Sequence, residues 1–110
     1  MTTATHLSSV QLDAIREELQ EQLFRWTKQL AELEEAVNDD AVEVSAKTGL
    51  LADLASAERN AAVVRRALES IGALTYGRCD GCGSPIPFER LKARPLARLC
   101  MDCQRRHEGR

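Results

Sequence analysis

Four cysteines constrain this chain more than any other feature. They fall as Cys79-x2-Cys82 and Cys100-x2-Cys103, with seventeen residues between the pairs. Two Cys-x2-Cys pairs at that separation have the spacing of a four-thiolate zinc site. Zinc in a structural site takes four tetrahedral ligands and leaves no position open for water. Each x2 spacing lets a tight turn aim two sulfurs at one ion. Gly81 and Gly83 suit such a turn, because glycine permits positive φ and close backbone approach. His107, four residues beyond Cys103, is a further nitrogen ligand in principle, but four thiolates already complete the sphere. One structural Zn2+ is therefore expected, on Cys79, Cys82, Cys100 and Cys103.

Size and composition favour such a staple. The chain has 110 residues with only one Trp, one Tyr and two Phe. A small chain with a thin core usually needs a staple such as a metal or disulfides. The start of the chain lacks a basic segment, apolar run and small-residue cleavage site. No apolar run nears the roughly 18 residues of a membrane helix. The expectation is a cytoplasmic protein without membrane contact, in which clustered thiols stay reduced and take metal.

Charge divides the chain near residues 75–77. Residues 1–75 carry seven Lys/Arg against thirteen Asp/Glu, whereas residues 76–110 carry eight against four. All three prolines and all four cysteines lie in the second part. The expected organisation is an N-terminal tail at 1–9, a helical hairpin at 10–75 and a zinc-finger module at 76–110.

From Val10 to Val37 there is no Gly or Pro, and strong helix formers dominate. Apolar residues form two heptad-spaced rows: Leu12, Leu19, Trp26, Leu33, and Leu23, Leu30, Val37. Their gaps alternate four and three, the mark of a coiled-coil seam. Ser8 or Ser9 can cap the start. A second run, about Leu50 to Leu74, repeats the pattern with Leu50, Ala57, Val64, Ile71 and Leu54, Ala61, Leu68. Gly72 and Gly77 punctuate its end. In an antiparallel pair, facing positions have numbers with a constant total. A total of 87 pairs Leu19 with Leu68, Leu23 with Val64, Trp26 with Ala61, Leu30 with Ala57, Leu33 with Leu54 and Val37 with Leu50. Heptad spacing forces part of this regularity, but not the matching of the largest residue to a small one. The fold class expected is all-α: a long antiparallel coiled-coil hairpin, a small four-cysteine zinc finger and a short C-terminal helix. Such a hairpin satisfies its own seam and is expected to be monomeric.

The turn between the runs, residues 38–45, is acidic and holds two apolar residues. Asp40 followed three positions later by Glu43 fits a helix-start capping pattern. Carboxylates there also favour the positive end of the next helix. An acidic tip that serves function is the other reading. Arg90, Lys92, Arg94, Arg98, Arg105 and Arg106 form a basic set that can meet phosphate or an acidic surface, or merely surround a dianionic zinc–thiolate centre. His6 sits in a polar segment and is expected to be solvated. No activated nucleophile, phosphate-binding glycine loop or base-nucleophile pair is present, so no enzyme activity is expected.

The zinc module resembles a known family. Tyr76-Gly77-Arg78-Cys79-Asp80-Gly81-Cys82-Gly83-Ser84-Pro85-Ile86-Pro87, then Arg90-Leu91-Lys92-Ala93-Arg94-Pro95, then Leu99-Cys100-Met101-Asp102-Cys103-Gln104, are similar to the zinc finger of the DksA/TraR family. The resemblance implies a bacterial transcription regulator that binds RNA polymerase rather than a specific DNA sequence. It further implies a coiled coil that enters the polymerase secondary channel and a tip that alters open-complex stability at the active centre. The family tip reads Asp-x-x-Asp-x-Ala; here Asp40, Glu43 and Ser45 stand at those positions, so the second acid is one methylene longer. The family's site for the alarmone ppGpp uses an Arg before a Pro, matched by Arg94, and a Lys after the last Cys, replaced by Gln104. Two other functions fit the residues: a DNA-binding four-cysteine finger, and a dimerising coiled-coil adaptor. A net charge of +4 over the module is modest for DNA, and the acidic hairpin would be repelled by phosphates.

Overall fold

The structure, a computed structural model, describes residues 6–109. It consists of α1 (Ser9–Val37), α2 (Val44–Gly72), α3 (Phe88–Ala93) and α4 (Met101–Glu108). An isolated antiparallel bridge joins Arg78 and Pro85. α1 and α2 pack against each other as an antiparallel hairpin, and α1 also touches α3.

Local chemistry sets the ends of α1. Ser8 closes a capping box: the Gln11 amide donates to Ser8 Oγ at 3.0 Å, and the Ser8 amide donates to Gln11 Oε1 at 3.0 Å. Two of the orphan amides at the helix start are thereby satisfied. At the other end the Asn38 amide closes the last turn on the Glu34 carbonyl at 3.1 Å.

α2 starts at Val44, earlier than the apolar rows indicate. Its first turn is mostly exposed and carries no apolar stripe, so periodicity has nothing to report before Leu50. Glu43 is the N-cap residue but makes no side-chain cap. The Asp40-to-Glu43 capping pattern read from the sequence is therefore not the one that forms.

The end of α2 also departs from the glycine expectation. Gly72 is the last helical residue, and Leu74 takes the left-handed conformation with φ 63°. The Thr75 amide donates to the Ser70 carbonyl at 2.9 Å, and the Leu74 amide to the Ile71 carbonyl at 3.1 Å. This is a Schellman closure with leucine where glycine is usual.

Burial is uneven along the rod. Leu12, Ile15, Leu19, Val64, Ile71, Tyr76, Cys79, Ile86, Leu91 and Cys103 form one buried cluster with Leu7. Nearer the tip, Leu30, Leu33, Val37, Leu50 and Leu54 are only half-buried, because two helices alone cannot enclose a seam. Ala57 and Ala61, the small partners in the layer argument, are fully buried. Ile15 lies outside the predicted rows yet is buried in the core.

The radius of gyration is 17.6 Å, with principal extents of 57 × 36 × 22 Å. A compact domain of this length would have a radius near 13 Å, so the molecule is elongated. Each 29-residue helix contributes about 43 Å at 1.5 Å per residue. Among the described residues, no helix is long and apolar enough to cross a membrane.

The segment before α1 is not a loose tail where it is described. Leu7 is buried in the core, and a ring nitrogen of His6 lies 2.6 Å from the Ile86 carbonyl. His6 is thus tied to the zinc module rather than simply solvated. Gly77 lies beneath this segment with φ +91°, and a Cβ there would meet His6, Leu7 and Leu91 within 3.4 Å. Residues 1–5 lie outside the described residues.

Candidate metal centre and hairpin tip

Two turns bring the cysteines together. In the first, the Gly83 amide donates to the Cys79 carbonyl at 2.9 Å, and the Cys79 amide to the Ser84 carbonyl at 2.8 Å. Gly83 supplies the left-handed φ of +77°. Gly81 supplies close approach instead: a Cβ there would lie 3.0 Å from Cys103 Sγ. The two glycines divide the roles that the sequence assigned to both.

The second turn is the start of α4. Cys100 is the N-cap residue, and its sulfur faces the Cys103 amide at 3.5 Å. A helix start favours negative charge on the sulfurs gathered there. Backbone bonds lock the two halves together, with the Asp80 amide on the Arg98 carbonyl at 2.8 Å. Arg98 also pairs with Asp80 Oδ2 at 2.7 Å across the same gap. Arg90 Nε donates to the Leu99 carbonyl at 3.0 Å, and Tyr76 donates its hydroxyl to the Pro95 carbonyl at 2.6 Å.

The four sulfurs all lie within 4.8 Å of one another, and Cys82 Sγ is 3.8 Å from Cys100 Sγ. A tetrahedron of sulfurs about 2.3 Å from zinc has edges of about 3.8 Å. The geometry and the all-thiolate donor set fit one structural zinc ion. Cys79 and Cys103 are buried and Cys82 is exposed, so the centre sits at the edge of the core.

The thiols differ in acidity. Hydrogen bonding from the Cys100 backbone leads the effects that bring Cys79 down to about 6. The neighbouring Cys79 sulfur leads those that push Cys103 up to about 12. Hydrogen bonding to Ser84 lowers Cys82. Sulfurs so close resist joint ionisation, and a divalent cation among them removes that conflict.

His107 lies exposed in the last turn of α4 and is not part of the cluster. The sequence places Arg106 only among six basic residues that can surround the centre and names no sulfur for it. Its guanidinium donates to Cys103 Sγ at 3.0 Å. The i to i+3 spacing on α4 could have signalled it.

At the other end of the rod, residues 38–43 form the turn. Asp39, not Asp40, organises it: Asp39 Oδ1 accepts the Ala41 amide at 2.9 Å, and the Asp39 carbonyl accepts the Val42 amide at 3.1 Å. The amides of Ala46 and Lys47 bond the Glu43 carbonyl, not its carboxylate. Asp40, Glu43 and Ser45 are exposed, and among the described residues the two carboxylates form no ion pair or hydrogen bond. Val44 beside them is 82% exposed.

Arg94 is the exposed C-cap residue of α3. It lines a groove of about 530 Å³ with Gln22, Arg90, Arg98 and Gln104. The Gln104 amide donates to the Glu108 carboxylate at 2.5 Å.

Residues 74–109 match the model of the prokaryotic dksA/traR C4-type zinc finger. The RNA polymerase-binding transcription factor DksA of Caulobacter vibrioides is 33% identical over 75 residues, covering 66% of this chain and 53% of that protein. The zinc module of this chain is a DksA/TraR-type finger. The DksA/TraR match extends to the Escherichia coli K12 protein of the same name, 39% identical over 41 residues, or 37% of this chain and 27% of that one. This chain spans about half or less of the length of these curated relatives. The structure of transcription factor DksA2 from Pseudomonas aeruginosa superposes with a TM-score of 0.80 at 24% identity, covering 99% of this chain and 92% of that one. That likeness establishes the fold, a helical hairpin with a small finger, over essentially the whole length.

Proposed function

We propose that this chain is a cytoplasmic transcription regulator that binds bacterial RNA polymerase and works through its secondary channel. The hairpin enters the channel, Asp40 and Glu43 approach the active centre with Ser45 behind them, and the zinc module rests at the rim. Relatives named as RNA polymerase-binding factors support the partner. The observation that carries the reading is at the tip. Two carboxylates stand exposed at the end of a 57 Å molecule and neither caps the helix it adjoins. Acids with no structural task at the end of a narrow rod are placed to meet something beyond the molecule, such as a metal-bearing active centre.

The chain acts as a monomer in this proposal, with α1 and α2 pairing their apolar rows within one chain. No catalysis and no sequence-specific DNA reading are assigned to it. Binding of ppGpp is weak or absent in this proposal. Arg94 offers a cation to the groove, but a neutral Gln104 stands where the resemblance expects a second cation to pair with phosphate.

Competition tests the proposal. Labelled protein is titrated with RNA polymerase in the presence of rising amounts of a channel-occupying Gre factor. Displacement by the competitor is expected. Simultaneous binding of both would place this chain elsewhere on the enzyme.

A further inference from the structure

We infer that Arg106 is an outer-shell residue of the metal centre, holding the Cys103 thiolate by a charged hydrogen bond and thereby setting how firmly zinc is retained. The assignment is independent of the polymerase reading.

Three observations converge on it. Arg106 Nη2 lies 3.0 Å from Cys103 Sγ, close for nitrogen on sulfur. Cys103 is buried, and Gly81 packs against its sulfur so tightly that a Cβ would approach to 3.0 Å. Cys79 and Cys100 accept backbone amides instead, from Gly81 at 3.3 Å and from Cys103 at 3.5 Å. A zinc ion with four thiolates carries a net charge of about −2. A guanidinium that donates directly to one of those sulfurs offsets this charge and draws density from the thiolate that a proton or electrophile would attack first. Arg105 supplies a built-in comparison. It sits one position earlier on α4, carries the same charge, and pairs with Asp102 at 2.6 Å instead of a sulfur.

The test uses the full-length, zinc-loaded protein. Zinc release to excess 4-(2-pyridylazo)resorcinol is timed for wild type, Arg106→Gln, Arg106→Lys and Arg105→Gln. Arg106→Gln is expected to release zinc about tenfold faster or more, the usual scale for losing an outer-shell partner. Arg106→Lys should fall between it and wild type, and Arg105→Gln should match wild type within about twofold. Cobalt-substituted protein gives a second readout. Loss of a donor to sulfur raises the energy of the sulfur lone pairs, so the thiolate-to-cobalt band of Arg106→Gln should move to longer wavelength, and that of Arg105→Gln should not. Unchanged release and an unchanged band in Arg106→Gln would overturn the inference. So would equal acceleration by Arg105→Gln, which would mean that general charge alone is at work. Should Arg106→Gln fail to fold when loaded, Arg106→Lys decides, and release at the wild-type rate would count against the assignment.

Discussion

Leu74 shows how one residue can violate a local rule and still close a helix. A left-handed non-glycine residue costs about 1–2 kcal/mol, and Leu74 accepts that cost at φ 63°. The effect of the backbone can be separated from that of the side chain. Leu74→Ala and Leu74→Gly both remove the half-exposed side chain, and only Gly relieves the backbone. Leu74→Gly should therefore be more stable than Leu74→Ala by about 1 kcal/mol, the reverse of the usual helix order. Thermal melts of the two variants check this, with a separation of about 4–8 °C expected. Tyr76 offers a second test. Its hydroxyl holds the Pro95 carbonyl, and burial pushes its phenol pKa well above the ordinary value. Tyr76→Phe should cost about 1 kcal/mol by denaturant titration, since a part-buried carbonyl loses its partner. The sign of the pH effect follows from proton binding. Above roughly pH 10 the unfolded phenol ionises while the folded one stays protonated, so wild type loses stability as pH rises. The gap between wild type and Tyr76→Phe should shrink in that range. The four cysteines were legible as ligands because their spacing is a strong code. Arg106, Tyr76 and Leu7 were not, because their partners are set by the folded path of the chain and not by any local repeat.

At the scale of elements, the two long helices could be read from apolar spacing, and the structure fills them as that spacing implies. Their ends were less legible. The sequence offered Asp40 and Glu43 as a cap, but the turn is organised by Asp39, and α2 starts from Glu43 with backbone bonds alone. Capping patterns identify residues able to donate or accept; they do not say which neighbour reaches the amide first. The consequence is testable. Asp40→Asn touches no bond in the fold and should change stability by less than about 0.5 kcal/mol. The same change should abolish the effect of the protein on initiation in a reconstituted transcription assay. Glu43→Asp should alter that effect without altering stability, since it draws the carboxylate back by one methylene. Asp39→Ala should do the opposite and lower stability by about 1 kcal/mol through its lost turn bond. Full transcriptional effect from both tip variants would show that the acids are not the working end.

For the whole molecule, stability is concentrated at the base. The buried cluster joins the lower hairpin, Leu7 and the zinc module, with Cys79 and Cys103 among its members. Removing zinc should therefore unpick the base first. With a chelator present, amides of residues 76–109 should lose hydrogen-exchange protection, and the α1–α2 region near Leu19 and Ile71 should follow. A fold that survives complete zinc removal would contradict this coupling. The elongated shape was legible from the two helix lengths, whereas the docking of the N-terminal segment across the module was not. The central claim is that the tip of this rod reaches inside RNA polymerase. The direct measurement is photo-cross-linking from the tip itself. Val44→p-benzoylphenylalanine places a cross-linker at an exposed position beside Asp40 and Glu43. Illumination of its complex with RNA polymerase should label segments that line the secondary channel and active centre. Labelling confined to the outer surface of the polymerase, with binding intact, would contradict the account.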